Sequence, residues 1–433
     1  MSVDTILENE LVLIEPEPTQ FLKAVGIALN DAASRAVRIV GADAQAVNFV
    51  EVVRLRYPDV DIATVEDASK ISDEAIILTF ETDGARLQEV LLSFVDASGI
   101  TVIAPMTDWY FKHRPLYLIT IPKAGTHLLY GLVEAFGYSN DVVTEAEPQP
   151  GGWYCLEYTN SHTVARDFFV DSVRRKPHGG RDHPFPWTPT LFLYRNPLDI
   201  AVSEANYYHR DGNTLFAPYL AGLEFEDRLI KLIDDRRALG TIRDRVGSFS
   251  AWLDCVNVVP LSFEEIVGSR GGGMDDVQKK LVWSLQLKLQ VPGKPRTYAE
   301  KAFDPSSPTF ESGQIGRHRE SFTAAAWDAF NRLPQDFMED FGYDTDEASN
   351  AMPSHAERFL YRAPRYLTPG SSDVPFIVER DGRYSIQKYR GLYYPATAKI
   401  GGNDLLQLDQ ESLGKLPSAL TLEMARLIAF QNL

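Results

Sequence analysis

LYLITIPKAGTHLLYGLVEAFGY, residues 116–138, reads as an apolar strand, a tight turn and a helix. The helix shows an apolar face at Leu128, Leu129, Leu132, Val133 and Phe136. Between strand and helix stand Pro122, Lys123, Ala124, Gly125, Thr126 and His127. Small residues let a backbone close around an anion, and the first N–H groups of a helix point at it. Lys123 adds a point charge and Thr126 a hydroxyl donor. The order differs from the Walker pattern, because the Lys precedes the Gly. Taken alone, the stretch is equally an ordinary strand-to-helix turn with a chance lysine.

A second stretch, TLFLYRNPLDIAVSEANYYHR at 190–210, repeats the layout about 70 residues further on. Arg195 falls at the strand end, Pro197 near the start of the helix and Asp199 in its first turn. Arg195 and Ser203 are spaced so that both can reach one phosphate, which an arginine can grip bidentately. The plainer reading pairs Arg195 with Asp199 as a surface ion pair. Two such units in this order point to an anionic ligand held at both ends.

Composition narrows the ligand's surroundings. The 433 residues carry a formal net charge of −17, which disfavours nonspecific binding to nucleic acid or anionic membrane. Donors for an anion must therefore be concentrated locally. The two cysteines, Cys155 and Cys255, make no disulfide framework and suggest a reducing compartment. No run of about 18 apolar residues predicts a membrane span, and MSVDTILENELVLIEPEP does not read as a signal peptide. The expected location is cytoplasmic.

Outward from the two stretches, strands are expected at 36–41, 61–65, 75–80 and 100–105, with helical patterns between them. These make a small N-terminal Rossmann-like α/β domain over 1–112. Its first turn, GADAQA, only loosely echoes GxGxxG, so a structural or docking role is favoured there over dinucleotide binding. A larger α/β domain covers 113–347, with a third strand at 256–263, a charged helical pattern at 224–246 and a flexible loop SRGGGMDD at 269–276. Residues 348–433 read as a linker, a hairpin in PFIVERDGRYSIQKYRGLYYP and a helix near 417–430, a small α+β domain.

The two stretches resemble the nucleotide motifs of PAPS-dependent sulfotransferases. IPKAGTHL is similar to that family's 5′-phosphosulfate loop, and RNPLDIAVS to its 3′-phosphate motif. GSFSAWLD with VVPLSFEEI, and the late segment FESGQIGRHRESF, follow in the family's order. The resemblance covers about 115–345 and implies a three-layer α/β/α parallel-sheet domain of P-loop-NTPase-like type. It implies PAPS as donor, PAP as product and no metal; no HxxxH or HExxH spacing occurs either. On this resemblance Lys123, Ala124, Gly125, Thr126 and His127 bind the 5′-phosphosulfate end, with Lys123 assisting the leaving group. Arg195 and Ser203 hold the 3′-phosphate, and Gly313, Gly316 and Arg317 (or Arg319) belong to the late loop. Three positions depart from the pattern. Leu128 stands where an aromatic usually meets adenine, His127 replaces a hydroxyl residue, and Glu311 and Ser312 stand where basic residues are common.

Sulfuryl transfer needs a base for the attacking hydroxyl, and a neutral histidine suits that at pH 7. His162, between a strand-like and a helix-like segment in WYCLEYTNSHTVARDFFVDSVRR, is the first choice. His178 and His183, in KPHGGRDHPFPW, compete for the role. The expected acceptor is a carbohydrate or small metabolite, with no nucleic-acid partner; assembly as a homo-oligomer is left open. Two other readings remain. A nucleotide-dependent phosphotransferase would want a Lys directly before the Ser or Thr of a glycine loop and a Mg²⁺-holding Asp at a strand end; neither is present. A nucleotide-binding scaffold without chemistry stays open because of the altered late loop.

Overall fold

Five short strands open the chain: β1 (Glu10–Ile14), β2 (Ala36–Val40), β3 (Ile62–Val65), β4 (Ala75–Thr79) and β5 (Thr101–Pro105). The structure is a computed structural model. It describes residues 8–31, 36–41, 44–66, 71, 74–140, 150–155, 189–212, 214–254, 258–302, 313–344, 376–381, 383–389, 392–397, 417–419 and 422–433. The five strands form one parallel sheet in the order β1-β5-β4-β2-β3. Side chains alternate across a strand, so each strand feeds two cores. Ile76, Leu78 and Ile103 meet helices α1 (Pro18–Asp31) and α2 (Ala44–Arg56) on one face. Ala75, Ile77, Val102 and Ala104 meet α3 (Gly84–Leu92) on the other.

A second parallel sheet follows, from β6 (Leu116–Thr120), β7 (Ser139–Asn140), β8 (Gly152–Tyr154), β9 (Thr190–Tyr194) and β11 (Val258–Ser262); the two-residue β10 (Gly240–Thr241) lies apart from it. Its order is β11-β9-β6-β8-β7. All five residues of β6, β9 and β11 are buried, as expected where helices cover both faces of a sheet. Pro260 is tolerated because β11 is the edge strand. Helices α4 (Thr126–Ala135), α5 (Pro197–Tyr207), α6 (Phe225–Asp234), α7 (Asp275–Leu289) and α8 (Pro295–Ala302) accompany this sheet. Both sheets thus have a three-layer α/β/α architecture. A three-stranded antiparallel sheet, β12 (Phe376–Asp381), β13 (Tyr384–Tyr389) and β14 (Leu392–Thr397), and α9 (Leu422–Gln431) complete the described chain. Among the described residues no helix is long and apolar enough to cross a membrane.

The helix α7 joins the two parallel sheets. From Leu281 onward it is buried all round, because both sheets use it. Trp283 and Leu287 pack into the core beneath α3, while Leu281, Val282, Leu285 and Leu289 pack into the core of the second sheet. Polar bonds follow the same seam. Trp283 Nε1 donates to the Phe94 carbonyl at 3.0 Å, Gln88 Nε2 to the Lys288 carbonyl at 2.6 Å, and Gln290 Nε2 to the Gly84 carbonyl at 3.3 Å. Leu11 and Gly293 exchange backbone hydrogen bonds just beyond.

Two expected elements differ from the sequence reading. The charged pattern at 224–246 is split into α6 and a second helix, Ile242–Gly247. Asp235 turns the chain between them by accepting the N–H groups of Arg237 and Ala238, and Gly240 takes a positive φ of 75°. The glycine-rich stretch at 269–276 is not loose. Gly273 N–H returns to the Gly268 carbonyl, Ile315 N–H donates to Gly271, and α7 begins at Asp275. The strand β1 and helix α1 were not read from the sequence at all.

Trp283→Ala should destabilise the chain by about 3–5 kcal/mol, because it opens a large cavity in the core beneath α3. Urea unfolding followed by far-UV circular dichroism measures this, and an unchanged midpoint would contradict the place of Trp283 in that core.

Candidate functional site

In an open parallel sheet, ligands gather at the carboxyl ends of the strands where the chain's path reverses. In the second sheet that point lies between β6 and β9. From β6 the chain goes to β8 and β7 on one side, and then places β9 on the other. The two stretches singled out in the sequence end on these two strands.

The first loop leaves β6 at Ile121. Ala124 N–H donates back to the Ile121 carbonyl at 3.0 Å, closing a turn. Gly125 caps α4 with φ 105° and ψ 40°, a left-handed conformation that favours glycine. A Cβ there would also lie 2.7 Å from the Phe263 ring. Lys123 adopts φ 66°, rare for a side-chain-bearing residue and a form of strain that gathers at functional loops. The N–H groups of Gly125, Thr126 and His127 make no hydrogen bond to another described residue. These are the orphan donors of a helix start. Thr126 Oγ1 lies 2.9 Å from Thr120 Oγ1; with Thr120 as donor, the Thr126 proton is left for a ligand. The His127 ring is exposed. Burial of part of it, and then the Lys123 charge, push its pKa below the usual imidazole value.

Arg195, 6% exposed, ends β9 and reaches across to the first loop. NH1 donates to the Lys123 carbonyl at 3.4 Å, and NH2 donates to the Gln314 carbonyl at 2.7 Å. The guanidinium also lies 4.2 Å from the centroid of the Phe263 ring. One aromatic side chain therefore touches both Gly125 and Arg195. The Arg195–Asp199 pair is present at 3.7 Å, but it is buried rather than on the surface. Each terminal nitrogen serves one carbonyl and keeps a second N–H, while the buried Nε–H has no hydrogen-bond partner among the described residues.

Asp199 fastens the late loop. Its carboxylate accepts Gly316 N–H at 2.7 Å, His318 N–H at 3.0 Å and His318 Nδ1–H at 2.7 Å. Burial works to raise the Asp199 carboxyl. The His318 hydrogen bonds and the Arg195 charge outweigh it and hold the group below the usual carboxylate range. Gly313 and Gly316 take φ 57° and 75° in this loop, and Arg317 follows half-buried, with Arg319 exposed. Ser203 lies one turn beyond Asp199 on α5, half-buried. His162, His178 and His183 lie outside the described residues.

The sequence reading missed residues that join these parts: Phe263, Gln314 and Glu264. Glu264 is fully buried, accepting Asn196 N–H at 3.0 Å and the Tyr343 hydroxyl at 2.7 Å. No local pattern announces such partners, which come from segments 68 and 79 residues away. A separate cavity of about 500 Å³ opens at the carboxyl edge of the first sheet, lined in part by Glu15, Asp83, Asp108 and His113. It shares no lining residue with the two loops.

The class defined by this fold and site is a three-layer α/β/α protein with two strand–turn–helix loops side by side at a switch point. No protein-family model and no curated protein matches the chain. Among solved structures it is similar to mouse sulfotransferase SULT7A1 complexed with PAP, at a TM-score of 0.37 and 16% identity, over 57% of this chain and 89% of that one. A likeness at that level fixes neither activity nor ligand.

Burial pushes the Glu264 carboxyl up to about 7 from an ordinary value of 4.5. The folded chain thus holds this proton more tightly than the unfolded chain. Glu264's contribution to stability is complete below about pH 4.5 and is lost as pH rises through about 7. Between about pH 5 and about pH 8 the wild type should lose about 2–3 kcal/mol more than Glu264→Gln, which stays neutral. Urea unfolding at the two pH values tests this, and parallel losses would refute it.

Proposed function

We propose that the chain is a sulfotransferase that moves a sulfuryl group from PAPS to a hydroxyl of a carbohydrate or small metabolite and releases PAP. The observation that carries this reading is the hydrogen bond from Arg195 to the Lys123 carbonyl. It joins the two loops at the switch point, so that one nucleotide can meet both.

The N–H groups of Gly125, Thr126 and His127 at the start of α4 suit the 5′-phosphosulfate, with Lys123 beside its bridging oxygen. Arg195 and Ser203 take the 3′-phosphate, and Gly313, Gly316 and Arg317 close over it. In the transfer, the acceptor oxygen forms a bond to sulfur as the bond from sulfur to the phosphate oxygen breaks. The acceptor proton passes to a histidine, with His162 preferred over His178 and His183 on sequence grounds. Lys123 offsets the charge developing on the departing phosphate. With Leu128 in place of an aromatic, adenine is gripped by other groups. The division at 112/113 and 347/348 belongs to this reading, supported by each sheet drawing its strands from one of the three spans.

Saturating PAP should raise the melting temperature by about 2–4 °C, the shift expected near a hundredfold excess over Kd for a chain of this size. Lys123→Ala should remove most of that shift. A shift seen only with ATP and Mg²⁺ would overturn the sulfotransferase reading in favour of a phosphotransferase. His162→Ala should keep the PAP shift while losing transfer from labelled PAPS to a glycan or metabolite extract. Undiminished transfer in that variant would move the base to His178 or His183.

A further inference from the structure

On α5 the residues Asp199, Ser203 and Tyr207 recur at intervals of four and share one face of the helix. Asp199 holds the late loop at one end of this face. At the other end, Lys123 Nζ lies 3.6 Å from the centroid of the Tyr207 ring. The stripe therefore runs from one loop to the other, with Ser203 between them.

The main chain of Lys123 is held by its left-handed turn and by Arg195, which donates to its carbonyl. The four-carbon stem ends with its ammonium against an aromatic face. A ring face carries negative charge density and attracts a cation from one side only. Tyr207 is half-buried, so water competes weakly for that face. The Arg210 guanidinium lies 5.8 Å from the same ring, which gathers two cations at this end of the stripe.

We propose that Tyr207 is a positioning residue for Lys123, setting its ammonium where the 5′-phosphate end of the nucleotide arrives. This rests on the nucleotide reading above. The aromatic face carries the role, not the hydroxyl or the bulk of the side chain.

The test is calorimetric titration of the full chain with PAP, for Tyr207→Leu and Tyr207→Phe, each alone and combined with Lys123→Ala. Tyr207→Leu should weaken PAP binding about three- to tenfold, and Tyr207→Phe, which keeps the ring, should stay within about twofold of wild type. In the Lys123→Ala background, Tyr207→Leu should change the affinity by less than about twofold, since its partner is gone. Melting temperatures without ligand check folding, and Tyr207→Met gives a second ring-free variant should Leu not fold. Wild-type affinity in both ring-free variants, or equal weakening with and without Lys123, overturns this inference while the nucleotide reading stands. A wild-type chain that does not bind PAP overturns both.

Discussion

The site depends on where one buried guanidinium puts its hydrogen bonds. Arg195 ends β9, yet its donors go to a carbonyl of the first loop and a carbonyl of the late loop. Burying such a charge is costly unless it is paired and hydrogen-bonded. Asp199 supplies the charge, the two carbonyls supply acceptors, and the Phe263 ring covers the face of the guanidinium. Three segments far apart in the chain are thereby fixed to each other. The loops' relative placement is a property of this cluster, not of either loop alone.

Asp199 and Glu264 show how burial divides two carboxylates. Asp199 accepts three hydrogen bonds from the late loop and faces Arg195, and it stays readily ionised. Glu264 accepts one backbone N–H and one hydroxyl in a closed interior, and it holds its proton to about 7. Desolvation acts on both, and the number and charge of the donors decide the difference.

Much of the second sheet was legible in the sequence. The runs at 116–121 and 190–194 are short, continuous and apolar, and each is followed by turn residues and a helix start, so strand, loop and helix could be placed by local rules. The strand β1 was missed because ELVLI is amphipathic at an edge and is followed by prolines and glutamates that resemble a tail. The reading of 224–246 as one helix failed at Asp235, whose side chain caps a turn that charge pattern alone does not reveal. Lys123, Gly125 and Arg195 could be picked out because their types and spacing are local. The roles of Phe263 and Gln314 could not, because they arise from packing between distant segments. Tyr207 lay in view, four residues beyond Ser203, but only the position of the Lys123 ammonium gives it meaning.

The sharing of α7 bears on how the gene could be cut or recombined. A fragment starting at residue 113 would keep that helix but lose the surface that Trp283 and Leu287 occupy, turning an internal seam into an apolar face open to water. A fragment ending at 112 would lack the helix whose Trp283 and Leu287 complete the core on one face of its sheet. The linear order of the chain suggests a clean break that its packing forbids, so the two parallel sheets would have to be inherited, truncated or transplanted together.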